Sequence, residues 1–300
     1  MTNASEAPAA RPPLLRRILT HWVVRLILTT ALFTVLTALL GLALALLRVP
    51  PTLLVQELGG AAGVLVAIAV ITLLVERRPL AEVGLGLRGL PPQWARGFAL
   101  GAGYMLACVA TLALLGGYRV AGASFALGPL LLALLLQVAV GLFEEGLFRG
   151  VLFRLLEEGL GSWAALAITA VIFGAAHLSN PGGTLWGAAA ITIEAGVVLG
   201  AAYMATRSLW FVSGLHTAWN FLQGPIFGFN ISGSNIVTES LLRPSIQGPE
   251  LLTGGAFGIE ASLIAVAVGL ALGVWFVARV ARGGMTLRPL LWRGGINRPR

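Results

Sequence analysis

Three short patterns in this chain set acids, imidazoles and hydrogen-bond donors within apolar surroundings. They are Glu144-Glu145 followed by Arg149, then His177, then His216 followed four residues later by Asn220. A carboxylate and an imidazole together activate a water, and two further donors aimed at one point suit an oxyanion, which is the equipment for hydrolysing an amide. In hydrocarbon each charge costs about 3 kcal/mol at a helix centre, so such a cluster is a functional hypothesis by default. Glu145 and Arg149, four apart, share a helix face and neutralise each other, while Glu144 points about 100° away and keeps its carboxylate free. Glu144 is therefore the candidate general base and His177 the residue that shares or orients the water. His216 and Asn220, also four apart, are the candidate oxyanion donors, with Glu145 and Arg149 in support. This scheme needs no cofactor. Two histidines and a glutamate are also a familiar zinc ligand set, which leaves Glu144, His177 and His216 as metal candidates under an alternative scheme. The usual zinc signature HExxH is absent.

The elements that must position these residues are apolar runs. Uncharged or nearly uncharged stretches extend over Leu26 to Leu47, Leu58 to Val75, Gly97 to Gly117, Ala121 to Phe148, Gly161 to Leu178, Gly183 to Thr206, Ser208 to Phe229 and Ala261 to Ala278. These eight predict an all-α fold, a polytopic bundle of about eight transmembrane helices. The first is too long for a signal-peptide core. Gly159 to Ser162 reads as a tight turn, and Glu144 precedes it by about as many residues as His177 follows it, so the two side chains are expected level across a helix hairpin.

Composition narrows the class. The hydrophobic share is 57%, the charged share 11% and the mean hydropathy +0.90, which a water-soluble surface of this length would not tolerate. Every basic residue is Arg and every acidic residue Glu, so mechanisms built on an Asp dyad or a Schiff-base Lys are excluded. Lone Cys108 excludes an internal disulfide. The net charge of +8 does not point to nucleic acid, because the arginines gather at the ends of apolar runs. They favour alternate connections, notably Arg77, Arg78, Arg88 and Arg96 after the second run and six from Arg279 to Arg300 at the end, which predicts both termini cytoplasmic. The segment Arg88 to Arg96 is expected as an interfacial connector. Residues 1–20 are expected as a disordered tail, 21–120 as three helices, 121–229 as the catalytic core, 230–258 as an extracytoplasmic loop and 259–300 as a last helix with a basic tail. Glu194, isolated in the sixth run, is weighed as a cavity-lining residue. Phe173 and Trp219 are expected to pack.

Glu144-Glu145-xxx-Arg149, Phe173-xxx-His177 and His216-xxx-Asn220, in that order on separate helices, resemble the three motifs of the CPBP family of intramembrane proteases, also called Abi or CAAX-protease-like. The resemblance covers residues 125–225. It implies that Glu144 and His177 activate water, that His216 and Asn220 stabilise the oxyanion, and that Glu145 with Arg149 props the site. The expected partners are the lipid bilayer and a peptide or membrane-protein substrate, in a bacterial plasma membrane. The rival reading is a non-catalytic immunity protein or a transporter that uses the buried polar cluster. An intramembrane aspartyl site is excluded by the lack of Asp, and a rhomboid-type serine site lacks its Gly-x-Ser-Gly stretch.

Overall fold

The computed structural model describes residues 13–237 and 239–289. Among these, seven helices are long and apolar enough to cross a membrane: Trp22–Leu46 (α1), Leu53–Glu76 (α2), Leu87–Leu114 (α3), Leu127–Leu160 (α4), Ser162–Ser179 (α5), Leu185–Thr206 (α6) and Leu263–Arg282 (α8). Between α6 and α8 lies α7, the α-helix Leu209–Phe221 extended by the π-turn Leu222–Ile226. The polytopic helical bundle expected from the sequence is thus the fold. The seventh run is the exception in kind: α7 carries His216, Asn220, Gln223 and Pro225, and ten of its first thirteen residues are buried. It is sheathed by protein rather than lipid, which makes its polar content tolerable.

The packing of α7 explains how it comes to lie so deep. A Cβ on Gly97 would stand 1.9 Å from the Phe211 carbonyl oxygen, and one on Gly101 2.3 Å from that of Leu215. From the other side, a Cβ on Gly214 would meet the Trp94 carbonyl at 2.2 Å. The α3 and α7 backbones therefore touch through glycine, the small-residue contact that membrane helices use in place of a hydrophobic driving force. Helix α4 joins α7 similarly, since Gly141 leaves room for Thr217.

Polar side chains tie one end of the bundle together. Glu76 at the end of α2 pairs with Arg25 at 3.0 Å and with Arg154 at 2.8 Å, and Arg25 also pairs with Glu158. Arg207, just past α6, pairs with Glu157 at 2.5 Å. The starts and ends of these helices meet as alternating spans require. Gly161, at a φ of +84°, makes the expected turn between α4 and α5.

Several local expectations are corrected. The fourth run begins as β1 (Tyr118–Ala123), and its helix starts only at Leu127. Strand β1 pairs antiparallel with β2 (Leu242–Ile246), so the 230–258 connection carries regular structure of its own. The connector expected at Arg88 to Arg96 runs into α3, whose α-helical part begins at Leu90 and holds Pro91 and Pro92 in its first turn, where their missing N–H groups cost nothing. Within the tail expected to be disordered, Leu14–Leu19 is helical, and residues 1–12 lie outside the described part.

Candidate active site

Helix α4 brings Glu144 and Glu145 to the point where α-helix gives way to a π-helical segment, Gly146–Phe153. Small residues set this depth. Cβ atoms on Gly146 and Gly150 would stand 2.7 Å from Val64 and 2.7 Å from Ile68 of α2. Glu145 is fully buried and its Oε1 accepts two hydrogen bonds, from Arg149 Nη1 at 2.8 Å and from His216 Nδ1 at 2.8 Å. Arg149 uses Nη2 on the carbonyls of Ala195 (2.7 Å) and Gly196 (3.2 Å). Both belong to the π-helical segment Thr192–Val197 of α6, where the irregular ladder leaves carbonyls to be satisfied from outside. The guanidinium also lies 4.9 Å over the Phe173 ring. Three helices, α4, α6 and α7, are thereby bound to one buried ion pair.

The histidines are held by their Nδ1 atoms. His177, which ends the α-helical part of α5, donates Nδ1–H to the Phe173 carbonyl at 2.8 Å. Its Nε2 in the neutral ring then carries a lone pair. His216 donates Nδ1–H to Glu145, and its Nε2 lies 3.9 Å from Glu144 Oε2, an ion-pair distance beyond hydrogen bonding. Phe173 separates the two imidazoles, with ring centroids 4.9 Å from His177 and 6.2 Å from His216. It was expected to pack, and it does so as the wedge between both rings and Arg149.

A cavity of about 10 Å³, near the least that holds one water, has His177, His216, Asn220, Ser232 and Glu260 among its walls. The structure thus gathers three of the four candidate catalytic residues around one small space. Glu144 is not a wall; with its side chain 26% exposed, it approaches from the His216 side. Of the expected Glu144–His177 pairing, the arrangement retains a link through His216.

Residues 126–222 match the family model described as Type II CAAX prenyl endopeptidase, Rce1-like. The match spans a third of the chain and contains all three motifs. No curated protein and no solved structure matches.

Two site residues lie outside that stretch and escaped the sequence reading. Glu260, 2% exposed, accepts from Trp219 Nε1 at 2.7 Å, from the Ser232 amide at 2.7 Å and from Ser232 Oγ at 2.9 Å. It clamps the 230–258 connection to the residue beside Asn220. Trp219 in turn stacks on Tyr104 at 4.0 Å. Glu57 of α2 interacts electrostatically with Glu144, and its Oε2 is buried without a hydrogen-bond partner among the described residues. It sits one residue before the apolar run Leu58 to Val75. Glu194 is fully buried, but its neighbour Ala195 lines the cavity in its place.

Among the described residues, no group of three or more His, Cys, Asp or Glu side chains converges in a way that could hold a metal ion. Glu144, His177 and His216, the candidate ligands, are not gathered into such a group.

Proposed function

We propose that this chain is a multi-pass intramembrane endopeptidase that cleaves an apolar peptide or membrane-protein segment with a water activated by Glu144 and His177. The observation that carries the reading is the shared cavity of His177, His216 and Asn220, with Glu144 beside His216, inside the stretch that is Rce1-like.

Glu144 takes a proton from the water as its oxygen attacks the scissile carbonyl carbon. The Nε2 lone pair of His177 accepts the water's other hydrogen and fixes its orientation. Negative charge then develops on the carbonyl oxygen. Asn220 donates to it through its amide, and His216 donates through Nε2–H when the ring is doubly protonated, its Nδ1–H already being committed to Glu145. Glu144 passes its proton to the departing amine, the C–N bond breaks, and the acid group returns to carboxylate. Glu145 and Arg149 keep His216 in register and touch no reacting atom. The arginine-rich end of the bundle faces the cytoplasm in this reading, as the distribution of charge favours.

The test is hydrolysis of a panel of quenched hydrophobic peptides by the purified protein in detergent, comparing wild type with Glu144→Ala and His177→Ala. Loss of about 10²–10⁴-fold is expected for the base and about 10²–10³-fold for an oxyanion donor such as Asn220. Absence of hydrolysis across the panel, with a cellular function that survives both substitutions, would leave an immunity protein or transporter instead. Loss of activity on adding a chelator, restored by zinc, would replace the carboxylate-only scheme.

A further inference from the structure

A second cavity, of about 920 Å³, has neither His177 nor His216 among its walls. It opens beside the starts of α2 and α4 and is walled by Thr52, which caps α2, by Leu54 of α2, by Pro129, Ala133 and Gln137 of α4, and by Leu241 of the connection before β2. This is the size of a ligand-binding cleft, and its lining is mostly apolar. One wall is not. Gln137 is 2% exposed, and its Oε1 is buried without a hydrogen-bond partner among the described residues. An amide oxygen left unmet at such depth is unfavourable, so the groove's buried wall carries a polar demand.

The groove is also aligned with the candidate active site. Positions 129, 133 and 137 form one stripe of α4, and continuing it by seven residues reaches Glu144. On α2 the residue three beyond Leu54 is Glu57, which interacts with Glu144. From Gln137 to Glu144 is about 10 Å along the helix, the length of roughly three residues of extended chain.

We propose that this groove seats an extended apolar stretch of the substrate polypeptide, gripped by the Gln137 carboxamide about three residues from the bond that is cut. The inference rests on the endopeptidase reading and adds the substrate's conformation and its route. An extended backbone offers an N–H and a C=O that the carboxamide can pair with. An isoprenoid or acyl chain would fill the same apolar walls and leave Gln137 unmet, so the occupant is polypeptide. Leu54 and Ala133 supply shallow apolar contacts, and Gln137 fixes the register.

Two measurements test this separately from catalysis. In the first, Ala133→Cys is alkylated with a maleimide, native Cys108 being fully buried. A non-cleavable apolar octapeptide with one reduced amide should slow labelling at least tenfold, Gln137→Leu should raise the peptide concentration required about tenfold, and oleate or an isoprenoid alcohol should not protect. In the second, peptides are lengthened one residue at a time on either side of the cleaved bond. kcat/KM should rise until the third residue on one side, and Gln137→Leu should remove that gain. The unreactivity of Cys108 reports that each variant is folded. Protection by the lipids alone, or by nothing, overturns the proposal, as does cleavage that ignores length. Protection by peptide without hydrolysis of any substrate upholds the groove and sinks the endopeptidase.

Discussion

The ion pair between Glu145 and Arg149 is the most exacting test of how the site is built, because its energy should differ in kind from that of the same spacing on a helix surface. An exposed i,i+4 pair couples by about 0.3–0.5 kcal/mol. Here the partners are 0% and 2% exposed and 2.8 Å apart, so neutralising one leaves the other charge buried, a loss of about 3–5 kcal/mol. Glu145→Gln keeps the shape and an acceptor for His216, and Arg149→Met removes the cation together with its bonds to Ala195 and Gly196. Each single variant should lose about 3–5 kcal/mol. The double variant should lose much less than the sum, giving a coupling of about 2 kcal/mol or more. It should not return to wild-type stability, because the two α6 carbonyls stay unmet at about 1–3 kcal/mol each. Unfolding in mixed detergent micelles can be followed by the reactivity of Cys108, which is fully buried in the folded chain. A coupling below about 0.5 kcal/mol would refute the claim that this pair is a desolvated clamp, and would return it to the class of surface pairs.

Glu260→Gln should loosen the 230–258 connection by about 1–3 kcal/mol, since Ser232 loses its charged acceptor; faster limited proteolysis between residues 230 and 241 would report it, and unchanged nicking would count against the clamp. Gly97→Ala forces a Cβ to 1.9 Å from the Phe211 oxygen and should cost about 1–3 kcal/mol or prevent folding, while Gly103→Ala, with nothing within 4 Å, should be neutral in the same assay. Glu76→Gln leaves both Arg25 and Arg154 short of their carboxylate and should destabilise by about 3–5 kcal/mol, whereas Arg78→Gln, paired only at 3.8 Å with exposed Glu82, should change stability by under about 0.5 kcal/mol.

The bundle was legible because hydrocarbon imposes a length and a polarity that no other environment does, and the runs that met both conditions became helices. Glu144, Glu145, Arg149, His177, His216 and Asn220 were legible for the same reason, since each is a costly exception in an apolar helix. The local spacing of four between Glu145 and Arg149 is a helix property and held. Three-dimensional partnership was not encoded in this way. Nothing in the sequence indicated that Glu145 would share one oxygen between Arg149 and His216, because that bond joins residues 71 apart and depends on glycine contacts that let α7 sink between α3 and α4. Glu260 is not legible in the sequence because it lies between a connection and a helix, where an acid ordinarily meets water; its bonds to Ser232 and Trp219 exist only in the fold. Glu57 fell one position outside an apolar run and looked like a helix end. That Gln137 would be a buried polar wall of the groove likewise emerged only from the way the chain packs around the start of α4. Composition and periodicity decide which segments enter the membrane, and tertiary packing decides which of their few polar groups meet, because a pairing energy exists only once two helices bring both groups to the same depth.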